Sequence, residues 1–353
     1  MKSSIRLWLV RTSFRSFDVI NVFSCVLCWS MASKCGDSVQ TDVTIILITY
    51  NQEQTVEKCL ESIFKQKTNL RVDVLVCDDA SVDATQLRIT TYLANVDTQF
   101  GVRVVFHKNN LGNRGCTNAD FGLREATGRC VTILNGDDYL LCDDHVQTSY
   151  IALTQTVDCA AVTSGHIKVR SHDGGIIETC VGRESISFRT LADLEFYPLL
   201  GASMWKRDII FSVPDELIPY LTDTMLWHFI AKQGQCVALP YVSLCYNITG
   251  NGEHTRLSLT KQIESHVDLY ARLCGFETAA HLKDELEFWL WWATEDSADR
   301  GDIAGIGRYS KQLAHVCGGR NPIDLKKSLK YRLLSVVPHT LLVYKKCKSA
   351  LSR

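Results

Sequence analysis

Between residues 43 and 138 the chain alternates short, almost uninterrupted apolar runs with longer stretches in which apolar positions recur every three or four residues. Val43-Thr-Ile-Ile-Leu-Ile48, Val72-Asp-Val-Leu-Val-Cys77, Val102-Arg-Val-Val-Phe106 and Cys130-Val-Thr-Ile-Leu134 are the runs. Segments apolar at successive positions bury both faces, as strands inside a parallel sheet do. Between them, Val56, Leu60, Ile63 and Phe64 mark a helix over 54–65, and Leu87, Ile89 and Leu93 mark a second, capped by Asp83. A loop and third helix fill 110–127. The strict strand–helix alternation leaves no room for hairpins, so the pattern predicts an α/β fold with a doubly wound, mostly parallel sheet and right-handed crossovers.

The strands stop abruptly in polar residues: Thr49-Tyr50-Asn51-Gln52, Asp78-Asp79-Ala80-Ser81 and Asn135-Gly136-Asp137-Asp138. Parallel strands point their carboxyl ends one way, and open α/β sheets bind ligands outside that edge. Tyr50, Asn51, Asp78, Asp79, Asp137 and Asp138 are therefore expected to converge on one cleft. Adjacent carboxylates beside an amide suit a hard divalent cation bridging to phosphate oxygens, and Gly136 would let the backbone approach a ligand. Ordinary turn chemistry is the alternative, with Asp143 or Asp144 capping a helix that begins near His145. Two acidic pairs on separate strands favour the ligand site.

These residues also carry a family resemblance. Residues 43–52, Cys59-Leu-Glu-Ser-Ile-Phe-Lys-Gln66, Val76-Cys-Asp-Asp-Ala-Ser-Val-Asp83, Asn110-Leu-Gly112, Asn118, Gly122, Ala126-Thr-Gly128 and Asn135-Gly-Asp-Asp138, in this order and spacing, resemble family 2 of the inverting nucleotide-sugar glycosyltransferases, which have the GT-A fold. The resemblance covers 41–151 and thins from there to about 258. It implies a nucleotide-diphosphate sugar donor, with Thr49, Tyr50, Asn51, Asp79, Asn135 and Asp137 at the nucleotide. Tyr50 would pack near the base and Asp79 would accept a hydrogen bond from it. It implies a divalent metal, Mg²⁺ or Mn²⁺, on Asp137, with Asp138 the second ligand expected from the adjacent carboxylates. Asn135 departs from the family, where many members have the first aspartate of a D-x-D motif. The amide removes one negative charge from the site.

Transfer to an acceptor hydroxyl needs a carboxylate general base, typically contributing about 10² to 10⁴-fold in rate. In the second half, strands are expected at 159–169, 176–181 and 202–206, followed by Tyr220-Leu-Thr-Asp223-Thr-Met-Leu-Trp227-His228. Asp223 is placed to cap a helix, and the resemblance makes it the base; Thr222 stands where the family usually has another acid. Trp227 reads as core and His228 as exposed. Gly250-Asn251-Gly252 reads as a flexible turn near the cleft, with His254 as a lone loop histidine.

Composition narrows the partners. The 353 residues are 46% hydrophobic and 22% charged, with net charge −1, which excludes a nucleic-acid footprint over the whole surface. Of the 15 cysteines, Cys59, Cys77, Cys130, Cys159, Cys236 and Cys245 stand singly in apolar runs, so we expect buried thiols, no disulfide framework and a reducing, cytoplasmic compartment. Cys25-Val-Leu-Cys28 has no second pair at zinc-finger spacing. Residues 1–40 read as an extension outside the fold: neither a span nor an export signal, with translation starting at Met31 as the favoured reading. The domain itself is expected over 41–256, divided into a nucleotide-binding half (41–151) and an acceptor half (152–256). A helical appendage with Trp289, Trp291 and Trp292 follows over 257–320, its tryptophans read as core. The tail, 321–353, mixes Lys326, Lys327, Lys330 and Arg332 with apolar residues, a pattern suited to peripheral contact with an anionic membrane face. The expected acceptor is a saccharide or lipid-linked saccharide, as in surface polysaccharide synthesis. Two other classes stay open. One is a non-catalytic nucleotide-sugar-binding relative. The other is a nucleotidyltransferase, which would need a glycine-rich basic loop that residues 49–52 lack.

Overall fold

The computed structural model describes residues 27–28, 40–170, 173–180, 187–188, 198–249, 257–277 and 279–317. The basic tail, the turn at 250–252, His254 and nearly all of the N-terminal extension lie outside these residues.

In chain order the elements are β1 (Leu27–Cys28), β2 (Val43–Thr49), α1 (Val56–Phe64), β3 (Val72–Asp78), α2 (Thr85–Asn95), β4 (Gly101–Phe106), α3 (Cys116–Glu125), β5 (Cys130–Asn135), β6 (Tyr139–Leu140), α4 (His145–Gln155) and β7 (Cys159–Arg170). Then follow β8 (Ile176–Cys180), β9 (Ser187–Phe188), β10 (Ser203–Lys206), α5 (Asp223–Lys232), β11 (Gln235–Ile248), α6 (Leu259–Phe276), α7 (Ala280–Asp299) and α8 (Ile303–Cys317). The sheet order is β1-β4-β3-β2-β5-β10-β7-β11-β6, with β8 paired to β7 and β9 to β11.

The expected α/β fold is present. β4, β3, β2 and β5 run parallel, as do β7 and β11. β10 lies antiparallel between β5 and β7 and joins the two parallel sets. The chain steps outward from β2 to β3 to β4, then returns to the other side of β2 as β5. The strand order therefore reverses between β2 and β5, and ligands of doubly wound sheets sit in the crevice at such a reversal.

Alternation along β2 divides the core. Val43, Ile45 and Leu47 pack with Val56, Cys59, Leu60 and Ile63 of α1, while Ile46 faces Ala119 and Leu123 of α3. Helix α3 lies so close to β2 that a Cβ on Gly122 would come 2.5 Å from Ile46 Cγ2. The second cluster continues through Trp205, Met225, Trp227 and Ile230 to Leu269, Tyr270 and Leu273 of α6 and Leu282, Leu286 and Leu290 of α7. At roughly 2 kcal/mol per fully buried side chain, the six from α6 and α7 rival the net stability of a whole domain. The C-terminal helices thus share one core with α5.

That packing corrects one expectation. Trp227 is core, with its Nε1 donating to Pro198 O at 3.1 Å, but His228 is buried rather than exposed. Its Nε2 lies 2.6 Å from Glu277 Oε2, and Lys232 Nζ donates to the same oxygen at 3.1 Å. Burial holds the His228 imidazole below its usual range despite the neighbouring carboxylate. The contact is therefore a neutral hydrogen bond, and Lys232 is the ionic partner. Trp289 stacks on His266 at 3.9 Å between ring centres. Trp289 and Trp291 pack against the core as partly buried side chains, whereas Trp292 is 39% exposed. The cysteines expected inside apolar runs, Cys59, Cys77, Cys130, Cys159, Cys236 and Cys245, are free and buried. No helix among the described residues is long and apolar enough to cross a membrane.

Candidate active site

Thr49 lies beside Asp78, and Ile48 beside Asn135, so the polar ends of β2, β3 and β5 stand level at the strand-order reversal. Asp78 belongs to the scaffold. It is fully buried and accepts from Thr49 Oγ1 at 2.9 Å, the Ser81 N–H at 2.9 Å and Gln86 Nε2 at 2.6 Å. Asn51 ties the two strand-end loops together: its N–H donates to Ser81 Oγ at 2.8 Å, and its Oδ1 accepts from the Val82 N–H at 2.9 Å. Asn51 and Ala80 both hold positive φ, 52° and 58°. Such strain in residues with a side chain gathers at functional sites.

Asp79 donates its N–H to Thr49 O at 2.9 Å, and its Oδ1 accepts from the Leu111 N–H at 2.6 Å. Burial raises its carboxyl above the ordinary range, and the Leu111 N–H offsets part of that rise. One carboxylate oxygen of Asp79 is thus committed to the loop that opens α3. Tyr50 projects from the same edge with 38% of its surface exposed.

The turn after β5 separates its two aspartates. Asp138 is buried, and its Oδ1 accepts from the Asn247 N–H of β11 at 2.9 Å, with Asn135 Nδ2 at 3.5 Å from Oδ2. Asp137 is only part-buried, and Asn135 is exposed at the strand tip. Burial raises both carboxyls, and the charge of Asp137 raises Asp138 further. Gly136 donates its N–H to Ile48 O at 3.0 Å. A Cβ there would sit 2.4 Å from Gln52 Oε1 and 2.8 Å from Thr49 Cγ2. The glycine is thus needed for close packing of its own turn on the β2 loop, a reason distinct from the expected approach of a ligand.

Asp223 enters from the other half of the sheet. It is the first residue of α5, and the cap is Thr222, whose Oγ1 accepts from the Met225 N–H at 3.3 Å. The expected capping role of Asp223 is therefore incorrect, because the preceding threonine is extended and already holds that amide. Burial raises the Asp223 carboxyl to about 6. Its charge is felt at Asp138. At Tyr246 of β11, burial together with the charges of Asp138, Asp137 and Asp223 raises the phenol to about 12. Three carboxylates from two distant stretches thus act on one tyrosine. Tyr246 was missed in the sequence because it reads there as the flank of a strand.

Among the described residues no group of three or more His, Cys, Asp or Glu side chains is arranged to hold a metal ion by itself. A cation bound through one or two carboxylates and substrate phosphates needs no such cage. Asp137, part-buried and beside the buried carboxyl of Asp138, fits that donor set.

The profile of glycosyl transferase family 2 matches residues 44–175. An uncharacterised protein of Mycobacterium tuberculosis is 34% identical over 99 residues, 28% of this chain and 27% of that protein. The Escherichia coli UDP-Glc:alpha-D-GlcNAc-diphosphoundecaprenol beta-1,3-glucosyltransferase WfgD is 30% identical over 96 residues, 27% of this chain and 35% of WfgD. The matches thus span about a quarter to a third of these relatives. Among solved structures, S. aureus TarS 1-349 in complex with UDP superposes with a TM-score of 0.61 at 15% identity, covering 87% of this chain and 92% of that one. Residues 44–175 of this chain thus match glycosyl transferase family 2, and the chain has a GT-A-type fold like that of TarS.

Proposed function

We propose that this chain is an inverting glycosyltransferase that moves a sugar from a nucleotide diphosphate to the hydroxyl of a saccharide or lipid-linked acceptor in surface polysaccharide synthesis. The observation that carries the reading is the meeting of Asp223 with the Asp137–Asp138 turn in one electrostatic field that includes Tyr246. Thr49, Tyr50, Asn51, Asp79 and Asn135 form the nucleotide side: Tyr50 offers an exposed ring to the base, and the free oxygen of Asp79 accepts from it. Asp137, backed by Asp138, would hold Mg²⁺ or Mn²⁺, and such an ion would supply positive charge against the diphosphate.

Asp223 takes the proton of the acceptor hydroxyl. A carboxyl near 6 is ionised at neutral pH yet is a stronger base than an ordinary aspartate. Attack from the face opposite the leaving group inverts the anomeric carbon without a covalent intermediate. Support for the donor class comes from TarS, solved with UDP-GlcNAc and with UDP, and from WfgD, named for transfer from UDP-Glc.

Thermal melting with UDP, GDP and their sugars, with and without Mn²⁺, tests donor binding. A ligand at about 100 times its Kd adds about 2.7 kcal/mol of stability. Incubating the stabilising sugar nucleotide with lipid-linked saccharides should then yield nucleotide diphosphate and an elongated product. Tight nucleotide binding with no product from any acceptor would favour the non-catalytic reading.

A further inference from the structure

A cavity of about 380 Å³ opens beside the residue that precedes Asp223. Its lining includes Arg114, Tyr220, Thr222, Lys261, Glu264 and Asp268. The loop before α3, the segment before α5 and the first turns of α6 thus meet there. Thr222 is the cap of α5, so a molecule in this cavity lies against the start of the helix that carries the proposed base.

The charges around it are unequally committed. Asp268 pairs with Arg272 at 3.0 Å. Glu264 accepts from the Tyr309 hydroxyl at 3.0 Å and has Arg308 at 3.9 Å. The Arg272 guanidinium also lies 3.6 Å from the centre of the Tyr220 ring, fixing one wall. Arg114 and Lys261, by contrast, pair with no carboxylate among the described residues. Arg114 is held at φ 54° within a run of positive φ from Gly112 to Gly115, so the backbone accepts strain where this side chain is presented. With both acids neutralised by partners of their own, the cavity offers two cations to whatever enters.

We infer that this cavity is the acceptor subsite, and that the acceptor saccharide carries an oxyanion, phosphate or carboxylate, bound by Arg114 and Lys261 while a neighbouring hydroxyl faces Asp223. The inference rests on the glycosyltransferase reading and adds the acceptor's chemical class. A guanidinium and an ammonium converging on one oxyanion supply charge-assisted hydrogen bonds, whereas an uncharged sugar would leave both cations to water.

Calorimetric titration of the full chain with a hexose 1-phosphate, a hexuronate and the uncharged hexose, at constant ionic strength and with UDP or GDP saturating, provides the test. The charged sugars should bind about tenfold tighter than the uncharged one. In the Arg114→Gln, Lys261→Gln double variant that preference should vanish while nucleotide affinity is unchanged. A preference for the phosphate over the uronate would identify the anion as phosphoryl. Equal binding of charged and uncharged sugars to the parent protein overturns the inference, as does a preference that survives in the double variant. Loss of nucleotide binding in the double variant would assign both cations to the donor and also overturn it. If neither nucleotide binds the parent protein, the glycosyltransferase reading itself fails, and titrations without nucleotide still report whether the cavity selects oxyanions.

Discussion

The backbone N–H of Asn247 donates to Asp138 at 2.9 Å, fastening strand β11 to the turn after β5. Adjacent aspartates are thereby given different tasks. Asp138 is occupied inside the protein, whereas Asp137 is only part-buried. Asp137→Ala should abolish both transfer and the Mn²⁺-dependent part of nucleotide stabilisation, with little change in unliganded melting. Asp138→Ala removes the acceptor of a part-buried N–H and should cost about 1 kcal/mol of stability. Melting curves of both variants, with and without UDP and Mn²⁺, separate the roles. Undiminished Mn²⁺ dependence in Asp137→Ala would move the cation off that residue.

Asp223→Asn should lower turnover by about 10²-fold or more and leave donor affinity nearly intact, because a base acts on the acceptor in the transition state. Thr222 keeps the helix cap in the variant, so loss of the cap cannot account for the lower turnover. A variant that turns over at the parental rate would send the search for the base elsewhere.

The pH profile follows from the same carboxyl. As a base, Asp223 must be ionised, so kcat/KM should rise with pH through about 6 and then level off, and the inflection should be absent in Asp223→Asn. Stability runs the other way. A carboxyl raised by folding contributes stability below its ordinary value, and that contribution is lost as pH rises through about 6. Relative to the parent, Asp223→Asn should therefore be more stable at pH 7.5 than at pH 4, which denaturant titration at the two pH values can measure. A parental profile flat between pH 5 and 7 would contradict the assignment.

Gly136→Ala forces a methyl group against Gln52 Oε1 and Thr49 Cγ2. Overpacking of this kind costs typically about 1–3 kcal/mol, and here it would displace the β2 loop that carries Tyr50 and Asn51. We expect lower melting temperature together with weaker nucleotide binding, the latter seen by calorimetry. An alanine variant with parental nucleotide affinity would show that the loop yields without disturbing the nucleotide side.

The first half of the fold, residues 43–138, was legible because its strands are buried on both faces and its helices on one, and those two conditions write different periods into the chain. Short antiparallel pieces carry no such mark. β6 is two residues long, Tyr139–Leu140, and the position of β10 between β5 and β7 depends on pairing with segments far away in sequence. Thr222 and Asp223 are both good caps by residue type, so spacing alone could not choose between them. The burial of His228 was hidden for a related reason, since its cover includes Glu277, which arrives only at the end of α6. Tyr246 is set apart by the charges of Asp138, Asp137 and Asp223, all distant from it in sequence, and so has no local signature.

The shared core of α5, α6 and α7 makes the C-terminal helices poor material for exchange between relatives. A recombinant that keeps α5 from one parent and takes α6 and α7 from another would set mismatched side chains around Met225, Trp227 and Ile230, on the very helix that begins with Asp223. Inheritance of the proposed base is therefore tied to inheritance of the helices behind it. A crossover placed before α5 carries both together, whereas one placed between β11 and α6 divides them.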